Sequence, residues 1–565
     1  MPISYLLAAL LLTLPLWLGR QPRLLGYGAD TAMHLWFLNW FPYAISHGLN
    51  PFQTSIATHP STVSLLWNNA DLVLALLAWP LFRLLPAAAA MDLIYVLMMA
   101  AAASAMAWQL RPHVRHASSA WLGGLLFGFS PFALSQLAAG HLTWVSTATL
   151  PLGWWAGEHA WRVARDGWPA IRWGVVLGLW TVLQYWVNKE LLATTLLMGV
   201  LLLVLNSRGI LGRGLPPLRR LWPAGAVAVA VFGALMAYPV ISQLTSGVPL
   251  SRPTVVSPTA NVVDVLEWVV PGYSQLMGIG PAGPLSLRFT GELLETDAYL
   301  GLPLLVLAVL AAWRLRAVPL ARLGAGLAGV AGLMSLGGHL HVAGVVTRVP
   351  LPWLLFEHLP LLGKAVPSRL TIFVVAGVAC LLAAGWDGVM ERFAVGKRAL
   401  ILAVAALPLL PSSGLMAGIS GFPVYTPRVL SSTAVTALPA GASVLTIPIT
   451  TRENHGLAMY WQAELGFHYS QPFGYLLRPG PGGVLTDYLS PSPLANLATA
   501  LSSGDVRPAG VSAASVRLQL RRLGVRALVL MPSVQFAAEE EELRAILGRS
   551  PELVEGAAVW LEPGG

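Results

Sequence analysis

Charge and cysteine are what this sequence has least of. Only 10% of its 565 residues are charged and 56% are apolar, against roughly 25% charged residues in soluble proteins. With a mean hydropathy of +0.67, that balance excludes a soluble globular protein and points to a polytopic membrane protein. The single cysteine, Cys380, lies in an apolar run, which excludes a disulfide framework and a thiolate metal site. There is no Walker loop, no GxGxxG opening a helix, no HExxH pair and no serine-nucleophile elbow, so nucleotide hydrolysis and zinc proteolysis have no local support. Solenoid periods, inverted repeats and low-complexity tracts are also missing. The first stretch, MPISYLLAALLLTLPLWLG, lacks a basic n-region and a small-residue cleavage site before Arg20, and is expected to be an uncleaved first span.

The charge that is present is patterned. A formal net charge of +9 would suggest nucleic acid in a soluble chain, but here arginine falls in short clusters between apolar runs, as in cytoplasmic loops, and no nucleic acid is expected. The clusters are Arg111/Arg115, Arg162/Arg165/Arg172, Arg208/Arg213/Arg219/Arg220, Arg314/Arg316/Arg322 and Arg392/Lys397/Arg398. If all face the cytoplasm, an even number of spans separates each neighbouring pair. Runs near 118–137 and 143–161, two tight spans between Arg172 and Arg208, and runs at 222–242, 297–313, 323–337 and 369–388 satisfy this rule, and one more run follows at 399–412. Residues 64–86 are read as interfacial or re-entrant. The expected fold is an all-α polytopic membrane protein of about eleven transmembrane helices over 1–419, with a first outer loop at 20–89 and the N-terminus inside. A small extracytoplasmic α/β domain follows at 420–565, with strands at ASVLTIPI, VRALVLMP and AAVWLEP and helices at AASVRLQLRRLG and AEEEELRAILG.

The first outer loop carries GYGADTAMHLWFLNW, an amphipathic helix that Pro42 bends and HGLNPF ends. Trp36, Phe37 and Trp40 suit the headgroup layer. At this point the chain resembles the GT-C superfamily of membrane glycosyltransferases, and more closely a bacterial integral-membrane group related to YfhO-type proteins. The resemblance rests on GAD with WFLNW, then HGLNPF, LLWNNADLV, FGFSPF with QLAAGHL, KELLAT, AYLGLPLL and VPSRL in that order. It implies an enzyme of the bacterial cytoplasmic membrane that moves a sugar from a polyprenyl-phosphate donor to a glycan, lipid or protein acceptor on the outer face, with no nucleotide. The anomeric carbon of such a donor lies just above the headgroup plane, where Asp30 is placed to be the general base, with inversion expected. The other reading of Asp30 is a helix N-cap.

The resemblance also implies a basic group on the donor phosphate. Arg369 and then Lys364 fit, because both stand at the outer start of a span against the positive-inside bias, although phospholipid snorkelling explains them as well. Glu190 in VNKELL is either half of an interfacial Lys-Glu turn or part of the site. His141 with Gln136 has the chemistry to hydrogen-bond a sugar; no second carboxylate accompanies them in that loop, so a divalent cation beside Asp30 is not favoured. Asn68, Asn69 and Asp71 are expected to line the site from the re-entrant stretch, and His34 joins the substrate-binding residues. Glu292, Glu295 and Asp297 read first as solvated helix-start charge and second as acceptor contacts, and His339 with His341 as a loop pair without a metal. Two rival functions stay open: a transporter or flippase of lipid-linked sugars, and a non-catalytic envelope scaffold.

Overall fold

The computed structural model describes residues 1–68, 71–207, 218–246, 248, 257–280, 283–359, 361–451, 456–480, 484–505 and 511–564. They form two compact units, Met1–Leu18 with Asp92–Gly421, and Gly19–Met91 with Phe422–Gly565. The chain passes from the first unit to the second between Gly421 and Phe422. The first outer loop, however, groups with the C-terminal chain and not with the membrane helices.

Among the described residues, five helical segments are long and apolar enough to cross a membrane: Ala87–His113, Ala117–Ala139, Lys189–Asn206, Arg219–Leu244 and Pro367–Arg392. Thr149–Arg165, Ile171–Val187 and Pro319–Ser335 have 17 residues each, and Pro2–Leu12 and Leu302–Arg314 are shorter and apolar. The stretch between Arg172 and Arg208 holds two helices that meet at Asn188, whose side-chain oxygen accepts the Leu191 N–H at 2.8 Å. The run at 118–137 breaks once, since Pro131 has no N–H to continue the ladder and the Ser130 hydroxyl caps the new helix at Ala133. The run expected from 297 becomes helical only at Leu302, after Gly301 at φ +74, so residues 292–301 stay irregular.

The helix Thr371–Arg392 is the buried centre of the first unit, with Val374, Ala379 and Cys380 in its core. It meets Pro319–Ser335 through two glycines. A Cβ on Gly377 would stand 2.5 Å from the Gly324 carbonyl oxygen, and one on Gly324 would stand 2.7 Å from that of Gly377. Small residues let two apolar helices close to backbone distance where lipid supplies no hydrophobic drive.

In the second unit a four-stranded sheet runs in the order Glu552–Val554, Ala557–Leu561, Val525–Leu530, Ser443–Ile447, with the last pair parallel and the others antiparallel. Leu528, Leu530 and Trp560 pack against Leu497, Leu520 and Leu543 from the helices Pro493–Ser502, Ala513–Arg522 and Phe536–Leu547. The first-loop helix, Ala29–Ser46, runs through Pro42 and buries Trp36, Phe37 and Trp40 completely or nearly so. These rings are not the half-wet interface anchors that the sequence suggested. The Trp36 indole donates to Gln462 at 2.7 Å, the Trp40 indole to the Pro51 carbonyl at 3.1 Å, and Phe467 meets both rings edge-on. The C-terminal chain supplies the apolar partner that a bilayer was expected to supply. Strand Arg23–Leu24 pairs antiparallel with Phe422–Pro423.

Gly377→Leu is expected to lower the thermal unfolding midpoint in detergent sharply, since overpacking against a backbone costs about 1–3 kcal/mol or more. Gly388→Leu on the same helix, where nothing lies within 4 Å of an added Cβ, should leave the midpoint unchanged.

Candidate functional site

In the first unit Arg369 stands between two carboxylates that come from distant parts of the chain. Its Nη1 donates to Glu190 at 2.8 Å, and its Nε and Nη2 donate to Glu295 Oε1 at 3.0 and 2.5 Å. The guanidinium lies over the Trp144 ring, 5.1 Å from its centre. Glu190 reaches this position because it opens the helix Lys189–Ser207, and its other oxygen accepts the Val366 N–H at 2.7 Å. That bond ties the KELL turn to the VPSRL turn. The arginine and Glu190 keep an edge open, with side chains 14% and 20% exposed, whereas Glu295 is buried.

Gln136 and His141 join from below. Gly140, at φ +78, ends the helix Pro131–Ala139, and His141 N–H returns to the Gln136 carbonyl at 3.0 Å. This turn sets His141 Nδ1 2.8 Å from Gln136 Oε1, while Gln136 Nε2 donates at 3.4 Å to both Glu295 and Asp297. The two acids are thus not solvated helix-start charges. The delayed helix start leaves 292–301 free to turn inward, and Asp297 is 1% exposed. The sequence reading gave Glu295 and Asp297 to solvent and did not single out Glu267; the apolar residues that follow in DAYLGLP were the signal for the first two, and those of VVDVLEWVV for the third.

The acids divide by environment. Burial pushes Glu295 up, but the charge and hydrogen bonds of Arg369 more than reverse this and hold it below the usual carboxylate range. Burial pushes Asp297 well up, and the negative charges of Glu295 and Glu267 add to the effect. Glu267 is pushed up to about 8 by burial, even though it accepts the Ala298 and Asp264 N–H groups. Lys364 is half-buried, which lowers its pKa.

An apolar cavity of about 610 Å³ lies in the same unit, bordered by Leu150, Trp154, Trp180, Leu196, Phe373 and Cys380 among others. Thr195 and Phe373, both on its wall, follow Glu190 and Arg369 by five and four residues, so it begins about 6–8 Å down the two helices from the ion pair. Gly157, Gly199 and Gly225 also border it, and an added Cβ at any of them meets nothing within 4 Å.

The second unit holds Asp30, His34, Asn68 and Asp71, and His341 lies in the first. Gly28, not Asp30, is the N-cap of Ala29–Ser46; Asp30 lies half-buried in the first turn, where a carboxylate is favoured by the helix dipole. His34 is buried one turn on, with Nδ1 2.5 Å from Asp71 Oδ2. Asn68 bonds the Leu477 backbone reciprocally, at 3.0 and 2.8 Å, so its amide fastens two chain segments together. Asn69 lies outside the described residues. His341 bonds the Thr290 hydroxyl at 2.7 Å. Among the described residues no group of three or more His, Cys, Asp or Glu side chains is arranged to hold a metal ion.

No protein-family model and no curated protein matches the chain. Among solved structures it is similar to the archaeal oligosaccharyltransferase AglB from Archaeoglobus fulgidus, determined with an inhibitory peptide and a dolichol-phosphate, at 11% identity and a TM-score of 0.46, over 96% of this chain and 71% of that one. It is also similar to the arabinofuranosyltransferase AftD from Mycobacteria, at 15% identity and a TM-score of 0.47, over 94% of this chain but only 36% of that one.

Because folding raises Glu267 from an ordinary 4.5 to about 8, its contribution to stability is complete below about pH 4.5 and is lost as pH rises through 8. Asp297 acts in the same direction. The unfolding midpoint of the wild type should fall across that window, and Glu267→Gln should flatten the fall when midpoints are measured by scanning at a series of pH values.

Proposed function

We propose that this chain is a membrane glycosyltransferase that takes a sugar from a polyprenyl-phosphate donor and passes it to an acceptor hydroxyl at the outer face of a bacterial cytoplasmic membrane. The observation that carries the reading is the Arg369 ion pair at the head of an apolar cavity within helices fit to cross a membrane. A donor of this class has the matching halves, an anionic phosphate joined to a long hydrocarbon. The guanidinium has five N–H groups, and three are engaged by Glu190 and Glu295. The other two have no acceptor among the described residues, which leaves the pair that bidentate phosphate recognition requires.

In the proposed reaction the acceptor oxygen attacks the anomeric carbon while Asp30 takes the hydroxyl proton. The anomeric carbon–oxygen bond breaks and its electron pair leaves with the polyprenyl phosphate, whose added charge Arg369 stabilises. One displacement inverts the anomeric centre. Lys364 adds a second positive charge near the phosphate. Gln136 and His141 offer donors to sugar hydroxyls. Residues 420–565 are the extracytoplasmic part, and the N-terminus is cytoplasmic.

The transporter reading has one observation in its favour: the cavity wall also includes His113 and Glu158, a polar pair 3.1 Å apart. Transport leaves the glycosidic bond intact, whereas transfer releases free polyprenyl phosphate. Release from a labelled polyprenyl-phosphate sugar by the purified protein in nanodiscs therefore separates the two.

Asp30→Asn should lower that release by roughly 10²- to 10⁴-fold with the protein still folded and inserted. A variant retaining half its activity would return Asp30 to a structural role. Arg369→Lys should weaken donor use and Arg369→Ala nearly abolish it. Because a lone buried carboxylate pair costs about 3–5 kcal/mol, the second comparison needs a variant that spares the ion pair. Gly199→Leu fills part of the cavity without a clash and should raise the donor KM about tenfold, or about 1.4 kcal/mol, at an unchanged unfolding midpoint.

A further inference from the structure

His34 and Asp71 form a pair that neither the donor site nor the fold explains. Asp71 is the N-cap of Leu72–Leu84, a position where aspartate normally accepts a backbone N–H of the first turn, yet its side chain makes no capping bond. It points to His34 instead, at 2.5 Å, with both groups buried. It does so from φ +42, a left-handed conformation that is costly for any residue except glycine and, to a lesser degree, asparagine or aspartate. A left-handed backbone, a forgone cap and a fully buried carboxylate accompany this contact with the imidazole.

We propose that Asp71 and His34 are positioning residues for Asp30: Asp71 holds the imidazole by Nδ1, and the imidazole orients the Asp30 carboxylate one helical turn away and stabilises it in its ionised form. This rests on the reading of Asp30 as the base. The geometry follows from the helix. Residues four apart share a face, and a long helical side chain leans toward the N-terminus, which is toward Asp30. The helix Ala29–Ser46 packs against Leu72–Leu84 and Ala458–Glu464. Of the titratable groups on those elements, Asp71 and Arg83 on the first and Tyr460 and Glu464 on the second, Asp71 is the one whose charge acts on His34, and Asp30 adds its own. Burial alone would strip the proton from His34; the charge and hydrogen bond of Asp71, with Asp30 behind them, reverse that and raise its pKa. A positive charge thereby sits beside the base. In this role His34 steadies the carboxylate without exchanging a proton with the substrate.

The test is the pH dependence of release from a labelled polyprenyl-phosphate sugar, using the full chain in nanodiscs. Asp71→Asn suits the left-handed backbone and still accepts a bond from Nδ1, but it lacks the charge. It should move the acid limb of kcat upward by about one pH unit, which is about a tenfold loss of rate below the limb, with the donor KM unchanged. His34→Gln should do the same, and the double variant should be no slower than either single one, because the two residues act as a unit. An unmoved limb in a variant with a wild-type unfolding midpoint would overturn the proposal, and so would additive losses. Imidazole 15N shifts give a separate readout: the His34 signal should titrate at lower pH in Asp71→Asn than in the wild type. If it titrates unchanged, Asp71 does not hold the imidazole charged, whatever Asp30 does. If Asp30→Asn retains activity while the His34 signal still shifts, the base assignment fails and the positioning role falls with it.

Discussion

A buried guanidinium between two carboxylates sets most of the other terms in the first unit. Removing a charge from water costs several kcal/mol, and Arg369 cannot escape by losing its proton. It needs carboxylates, and the chain brings them from a helix start at Glu190 and an irregular loop at Glu295. Two acids against one base leave a net negative charge in a space bordered by apolar helices. Burial first and that surplus second push Asp297, near Glu295, well above the usual carboxylate range, and Gln136, a neutral donor, stands between the two acids. The Val366–Glu190 bond then makes the entry of the helix Thr371–Arg392 depend on the same ion pair.

Arg369 and Glu190 stood out in the sequence because each broke an expectation: a positive charge at a span start expected to face outward, and an acid in a turn between two apolar runs. Their pairing was not legible. They are 179 residues apart, and nothing local to VNKELL names VPSRL as its partner. Glu295 and Asp297 were misjudged because an acid before an apolar run looks the same whether the helix starts at once or five residues later. Gly301 decides this, since its left-handed backbone delays the start and allows the acids to turn in.

The first outer loop shows the complementary limit. Trp36, Phe37 and Trp40 on one helix face announce an apolar partner, and a bilayer and a protein surface satisfy that face equally well. The choice was made by Gln462 and Phe467, which follow more than 400 residues later. The C-terminal strands were readable because each is a short apolar run of β-branched and leucine residues between turns, whereas Pro493–Ser502 was not, because SPSPLANL begins like a loop. Its Ser492 hydroxyl accepts the Ala495 N–H, and Pro493 stands at the first helical position, which is a helix start in capping terms.

Two buried cations in this chain are each held by carboxylates, and they answer pH differently. Arg369 stays charged throughout, so its cluster responds only through its acids: Glu267 and Asp297 lose protons as pH rises and load more negative charge onto a site already in surplus. The first unit is therefore destabilised from the alkaline side. His34 can lose its proton, so the pair with Asp71 carries its positive charge only while the carboxylate beside it stays ionised and the solution is not too basic.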